Sequence, residues 1–227
     1  MKIGIILTPD VRSTAYIQKI IKNKIPMDSI ILMNDNRHSA FSEQTIAQSL
    51  KSGFDISKSV KSVLDKNNLL YKEFPFVDIN HPLLYNFLKE SDVDFFIFTG
   101  GGILKDQILS INSKFIHLHP GLVPEYKGST CFYYSIIDND RSGVTAFIMN
   151  SGLDTGDIIL QKIFPKPNHQ YLDEIYDANI RSEVLIEILQ NNLLDKIELR
   201  KQNPIDGTTY FIIHPVLKHI AILSCLK

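Results

Sequence analysis

The chain has 227 residues, 44% of them hydrophobic, with 24 Lys and Arg against 25 Asp and Glu and a formal net charge of −1. This suits one large domain, or one domain with a short appendage, built on a substantial core. The balance of charge, with Lys and Arg scattered along the chain, excludes a protein held on nucleic acid mainly by its electrostatic field.

Lys2–Leu7 reads as a buried first strand; it is too short for a signal-peptide core or a membrane span. Thr8-Pro9-Asp10 is the turn after it. Tyr16, Ile17, Ile20 and Ile21 recur at helical spacing and predict a helix over 12–23. Asp28–Met33 is a second apolar run, 45–50 and 56–64 read as helical, and 69–76 as a short extended piece. Asp94–Phe98 is a fully apolar strand broken by Gly100-Gly101-Gly102. Lys114–Leu118 is the next strand, 131–137 a helix, 144–149 a strand, and 158–164 a partner for it. Leu172, Ile175, Tyr176, Ile180, Val184, Leu185, Ile188 and Leu189 predict one long amphipathic helix over 171–194. Asp206-Gly207 is a turn signal, 208–213 is extended, and the last dozen residues are apolar.

Strands alternating with helices predict an α/β, Rossmann-like domain with a mainly parallel central sheet. Its catalytic domain spans 1–200, and 201–227 is a short C-terminal extension that packs on the core or on a second copy of the chain. Ligands of such sheets sit at the carboxyl ends of strands. Three such ends are the turn after Leu7, the triple glycine after Thr99 and the turn after His119. The two cysteines, Cys131 and Cys225, have no metal-site or disulfide spacing, so they read as plain thiols in a reducing cytoplasm.

The chemistry concentrates between Phe115 and Ile159. His117 and His119 lie two apart at the end of an apolar run, so along a strand both point to one face. Pro120 and Gly121 end that strand, and Gly152-Leu153-Asp154-Thr155-Gly156 is an acidic loop beyond it. His119 is a candidate base and proton shuttle, against the plainer reading of a strand-end histidine bonded to backbone. Asp154 is a candidate carboxylate partner, against an Asp in a surface turn.

These residues resemble the core of the formyltransferases that use a formylated tetrahydrofolate, a family that includes purine-pathway, methionyl-tRNA and sugar N-formyltransferases. Its first motif, roughly Asn-x-His-Pro-(Ser/Gly)-Leu-x-Pro-x-Tyr-x-Gly, is matched by His119-Pro120-Gly121-Leu122-Val123-Pro124-Glu125-Tyr126-Lys127-Gly128. Its second is matched by Gly152–Ile159. The resemblance implies catalysis by His119, Asp154 and His117, with 10-formyltetrahydrofolate as formyl donor and no metal. It places the folate pocket at Gly101, Gly102, Ile103 and Leu104, with Asn150 and Leu153 on its other side. Thr8, Arg12 and Lys127 are candidates to meet the substrate; Arg12, following the first strand, reads either as a partner for a substrate phosphate or as an exposed helix-start residue, the second being preferred.

One position departs from the family: His117 stands where its members carry Asn. Three readings stay open there: a working replacement, a weakened enzyme, and a folate-binding relative with other chemistry. The first is preferred, because a neutral imidazole can also offer an N–H to a developing oxyanion. The tail is too short for the added domain of the tRNA enzymes. The expected reaction is therefore formylation of the primary amine of a nucleotide-linked amino-deoxy sugar, in a bacterial surface-glycan setting such as pseudaminic acid synthesis. No nucleic acid or membrane partner is expected, and a homodimer is compatible with the apolar tail. The alternatives are a purine-pathway formyltransferase, a formyltetrahydrofolate hydrolase and a non-catalytic folate or nucleotide-sugar binding module.

Overall fold

The computed structural model describes residues 1–33, 40–100, 102–195 and 198–227, in two compact units, Met1–His117 and Leu118–Lys227. The first unit holds β1 (Ile3–Leu7), α1 (Val11–Lys22), β2 (Ser29–Met33), α2 (Glu43–Lys51), α3 (Val60–Lys66), β3 (Lys72–Phe74), α4 (Pro82–Glu90), β4 (Phe95–Phe98) and α5 (Asp106–Leu109). It also holds most of β5 (Lys114–His119), which runs on into the second unit. The strands pair in parallel in the order β3-β2-β1-β4-β5. Ile5, Ile6, Ile31, Phe96, Ile97 and Ile116 are buried, as expected of a parallel sheet covered on both faces.

The order reverses direction between β1 and β4, and the carboxyl ends of these two strands form a switch point of the kind that hosts ligands. Polar groups hold that edge together. Thr99 Oγ1 donates to Ile6 O at 2.8 Å and lies 2.7 Å from Ser13 Oγ, which in turn accepts from Thr8 N at 3.0 Å. Asp10 caps α1 by accepting from Ser13 N at 2.7 Å.

The second unit contains β6 (Tyr126–Gly128), α6 (Cys131–Asn139), β7 (Arg141–Ile148), β8 (Ile158–Pro165), α7 (Asp177–Gln190), β9 (Thr208–Tyr210) and α8 (Pro215–Ser224). β7 and β8 pair antiparallel, with a register shift between Ala146 and Phe147, and β6 pairs in parallel with β9. The expected helix over 171–194 is instead a π-type turn at Leu172–Tyr176, then α7, then a short 3₁₀ turn at Leu193–Asp195. Nor is it amphipathic: ten of the fourteen residues of α7 are buried, polar ones included. The last apolar residues form α8, opened by His214, whose Nδ1 accepts from Val216 N. No helix among the described residues is long and apolar enough to cross a membrane.

Candidate active site

His119 is the last residue of β5 and is almost wholly buried. Its Nε2 lies 2.8 Å from the backbone oxygen of Tyr126. A carbonyl oxygen only accepts, so Nε2 carries the hydrogen and the tautomer of the neutral ring is fixed. The other nitrogen, Nδ1, is then the one that titrates, and it lies 3.4 Å from Asp154 Oδ2. A bare Nδ1 beside a carboxylate sets two lone-pair groups against each other; one proton between them turns repulsion into a charge-assisted bond. The pair is therefore built to take up and release a single proton. Burial pushes the imidazole below its ordinary value, while Asp154 and the Tyr126 carbonyl pull it back up.

Both partners of His119 are held from elsewhere. Tyr126 stacks on Tyr210 with centroids 5.4 Å apart, and its hydroxyl donates to Asp138 at 3.1 Å and accepts from Asn139 at 2.6 Å. Burial and the Asp138 contact push this phenol up to about 12, and the anchor keeps the backbone oxygen of Tyr126 in place. Gly121 is required by close approach: a Cβ there would lie 2.8 Å from His119 Nε2 and 2.7 Å from Tyr126 O. Asp154 takes a left-handed backbone conformation, φ 54°, which Asp tolerates better than most residues. Its Oδ2 accepts from Gly128 N at 2.7 Å, and Gln202 Nε2 donates to the carbonyls of Asp154 and Gly156 at 3.2 and 2.5 Å. Asn150 Oδ1 accepts from Gly152 N and Thr155 Oγ1, both at 3.0 Å, and so ties the same loop from its other end. Leu153, at the loop tip, is 56% exposed.

His117 is half-buried, two residues before His119 on the same face of β5, with its ring 6.2 Å from that of Phe98. Of the expected folate loop, Gly101 lies outside the described residues. Asn80 clasps the rest, donating to Ile103 O and accepting from Lys105 N, both at 2.8 Å. That clasp turns neighbouring side chains opposite ways: Ile103 is 84% exposed and Leu104 is buried in the first unit. Ile103 thus presents an exposed apolar side chain, and Leu104 packs inward.

Thr8, Arg12 and Gly102 line one cavity of about 610 Å³ in the first unit, beside Asp10, Ser57, Lys58 and Ser59. Arg12 pairs with Asp10 at 3.3 Å, and Thr8 Oγ1 donates to the same carboxylate at 2.8 Å. Lys58 is not among the residues the sequence points to. Its only signal is the Ser-x-x-Ser pattern that starts α3, where Ser59 accepts from Ser62 N. Lys127 is buried, and its ammonium donates to Pro204 O at 2.9 Å and Asp206 O at 2.6 Å, so it clasps the C-terminal segment.

A buried, tautomer-fixed histidine facing a loop carboxylate is an arrangement that can exchange one proton, and the family it belongs to is read from the chain around it. Residues 58–189, more than half of the chain, match the formyl transferase family, and the chain belongs to that family. A methionyl-tRNA formyltransferase of Rickettsia massiliae is 32% identical over 130 residues, covering 55% of this chain and 42% of that protein. The Ehrlichia canis enzyme of the same name is 37% identical over 113 residues, 48% of this chain and 36% of that one. The chain thus spans less than half the length of these curated relatives. Among solved structures, an N-formyltransferase from Helicobacter canadensis, in complex with folinic acid and dTDP-3-aminofucose, superposes with a TM-score of 0.66 at 20% identity, over 100% of this chain and 80% of that one. A sugar N-formyltransferase from Shewanella sp. FDAARGOS_354 gives 0.61 at 17% identity, over 100% and 89%. At such identities the likeness is one of fold.

Proposed function

We propose that the chain transfers the formyl group of 10-formyltetrahydrofolate to the primary amine of a nucleotide-linked amino-deoxy sugar. The observation that carries the reading is the His119–Asp154 pair. Formyl transfer forms a bond from the amine nitrogen to the formyl carbon, breaks the bond from that carbon to the folate nitrogen, and moves one proton from the first nitrogen to the second. The pair suits that movement, because Nδ1 and Asp154 together hold one proton while Nε2–H stays committed to Tyr126. His117, neutral, donates one N–H to the formyl oxygen as charge gathers there, in the role the family gives to Asn. In the first unit exposed Ile103 is an apolar surface suited to a flat pterin; in the second, Asn150 holds the loop that carries exposed Leu153. Arg12 and Lys58, with the hydroxyls of Thr8, Ser57 and Ser59, suit a substrate phosphate.

The acceptor is chosen on two supports: the sugar N-formyltransferases among the structural neighbours and the near-neutral charge, which is a poor field for tRNA. A second reading, formylation of methionyl-tRNA, is favoured by the names of the sequence relatives. The test is incubation with the formyl donor and, in parallel, nucleotide-linked amino sugars, methionyl-tRNA and glycinamide ribonucleotide, following mass gain of one formyl group. Gain on an amino sugar is expected. Gain on methionyl-tRNA alone selects the second reading, and saturable folate binding without gain on any amine overturns both.

A further inference from the structure

α7 buries two opposite charges whose presence the fold alone does not explain. Arg181 and Asp177 are 6% and 7% exposed, and Arg181 Nε donates to Asp177 Oδ1 at 2.7 Å, one helical turn away. Such i,i+4 pairs ordinarily lie in water. Taken out of water, an ion pair loses hydration that a hydrophobic pair of the same volume would not need, and replacing buried pairs by hydrophobes is often neutral or stabilising. The guanidinium makes a second bond that accounts for its place. Its NH1 donates to the carbonyl oxygen of Leu118 at 2.9 Å. That oxygen belongs to the peptide group whose nitrogen is His119's own, and a peptide group is one rigid plane.

We propose that Arg181 is a positioning residue for proton transfer at His119: by holding the Leu118 carbonyl it fixes the peptide plane from which the imidazole projects. This rests on the reading of His119 as the proton-transfer group. The ring is then fixed at both ends, through its backbone by Arg181 and through its nitrogens by Tyr126 and Asp154. The order of constraints matters, since Nδ1 stands 3.4 Å from Asp154 and a small swing of the strand end would separate them.

The charges around the imidazole come from every side. Asp154 faces it from the loop after β7, the Tyr126 carbonyl from β6, Arg181 and Asp177 from α7, and His117 stands two residues back along β5. The Cys131 thiol, at the start of α6, is pushed up to about 12 by burial and then by Asp154, so it is neutral. Burial is the largest influence on His119 and disfavours its cation; Asp154, the Tyr126 carbonyl and Asp177 favour it, and Arg181 opposes it.

The experiment compares the full chain with Arg181→Lys, Arg181→Met and the double variant Arg181→Met/Asp177→Leu. The last removes both buried charges together and avoids leaving one unpaired. Two readouts are taken: steady-state formyl transfer against pH, and ¹⁵N-resolved imidazole spectra of the protein without substrates. In the parent, His119 is expected in the single Nε2–H tautomer. In the double variant, kcat falls about tenfold or more with KM unchanged, the size expected when a catalytic group is misplaced, and the His119 resonances lose that single tautomer. Arg181→Met moves the acid limb to higher pH, because a cation opposing imidazolium is gone; Arg181→Lys keeps the limb in place. A folded double variant with the parent's kcat and His119 spectrum would overturn the proposal. Should the parent formylate no amine, the formyl-transfer reading fails, and the spectra still decide whether Arg181 positions His119.

Discussion

The chain contains His-Pro three times, and the three copies do different work. His81-Pro82 and His214-Pro215 each start a helix: the imidazole Nδ1 accepts from the backbone N–H two residues on, at 3.2 and 3.3 Å, and proline fills the first helical position. His119-Pro120 starts no helix. The next four residues, Gly121-Leu122-Val123-Pro124, carry no helical period. Their turn is pinned by Thr145, whose Oγ1 donates to Gly121 O at 2.7 Å and accepts from Val123 N at 3.2 Å. The His119 ring is consequently turned inward onto a carbonyl and a carboxylate. The same dipeptide is a cap when an apolar helical run comes after it and a buried, inward-facing imidazole when a pinned turn does.

That contrast is broken most sharply at the inward-turned histidine. His119→Ala and Asp154→Ala should each lower kcat by at least about a hundredfold with the fold retained, as for a positioned acid–base pair. Circular dichroism and thermal melts confirm the fold; near-parent rates in both variants would place the chemistry elsewhere. His117→Ala should cost roughly 2–4 kcal/mol of transition-state stabilisation, the range for a lost oxyanion donor. His117→Asn should retain much of the activity. Equal rates for His117→Ala and parent would make His117 a packing residue beside Phe98.

At the capping histidines the expectation reverses. His214→Ala should leave kcat unchanged and lower the melting temperature by only a few degrees, about 2–4 °C for a chain of this size on loss of one cap. A large loss of activity there would erase the distinction between the copies. The smallest effect is in pH dependence of stability. Burial lowers the folded-state pKa of His119 relative to 6.5. The unfolded chain therefore binds more protons as pH falls, so the contribution is complete above about 6.5 and is lost as pH falls from there toward the folded value. Melting temperature should decline below pH 6.5, and less so in His119→Gln. His169, also lowered by burial, titrates in both proteins, so the difference isolates His119.

The fold is legible in the sequence where burial is complete. β1, β4 and β2 after its first residue, Ser29, are apolar runs too short for a helix, and their length marks them as buried strands. α4 and α8 escape the periodicity although His-Pro marks both starts, because α4 carries few buried residues and α8 leaves its apolar side chains Val216, Ile220 and Leu223 exposed. Over 171–194 the apolar period suggests a longer and more regular helix than forms, since periodicity does not reveal a π-type turn. At the site, His119 and Asp154 stand out through their motifs. The Tyr126 carbonyl that fixes the tautomer carries no side-chain signal at all. Arg181 is equally silent, because Asp-x-x-x-Arg on a helix reads as a solvated pair. Lys127 lies inside the motif and looks ready for a substrate; only the fold shows its ammonium on two carbonyls of the tail.

In the proposed reaction the His119–Asp154 pair moves a proton during formyl transfer to an amine. The most direct measurement is the rate of tetrahydrofolate release from 10-formyltetrahydrofolate, with and without the amino-sugar acceptor, in the parent and in folded Asp154→Ala. Release is expected to require the acceptor, to match formylated product one for one, and to fall at least about a hundredfold in the variant. Release of equal rate without acceptor, or undiminished in Asp154→Ala, would contradict it.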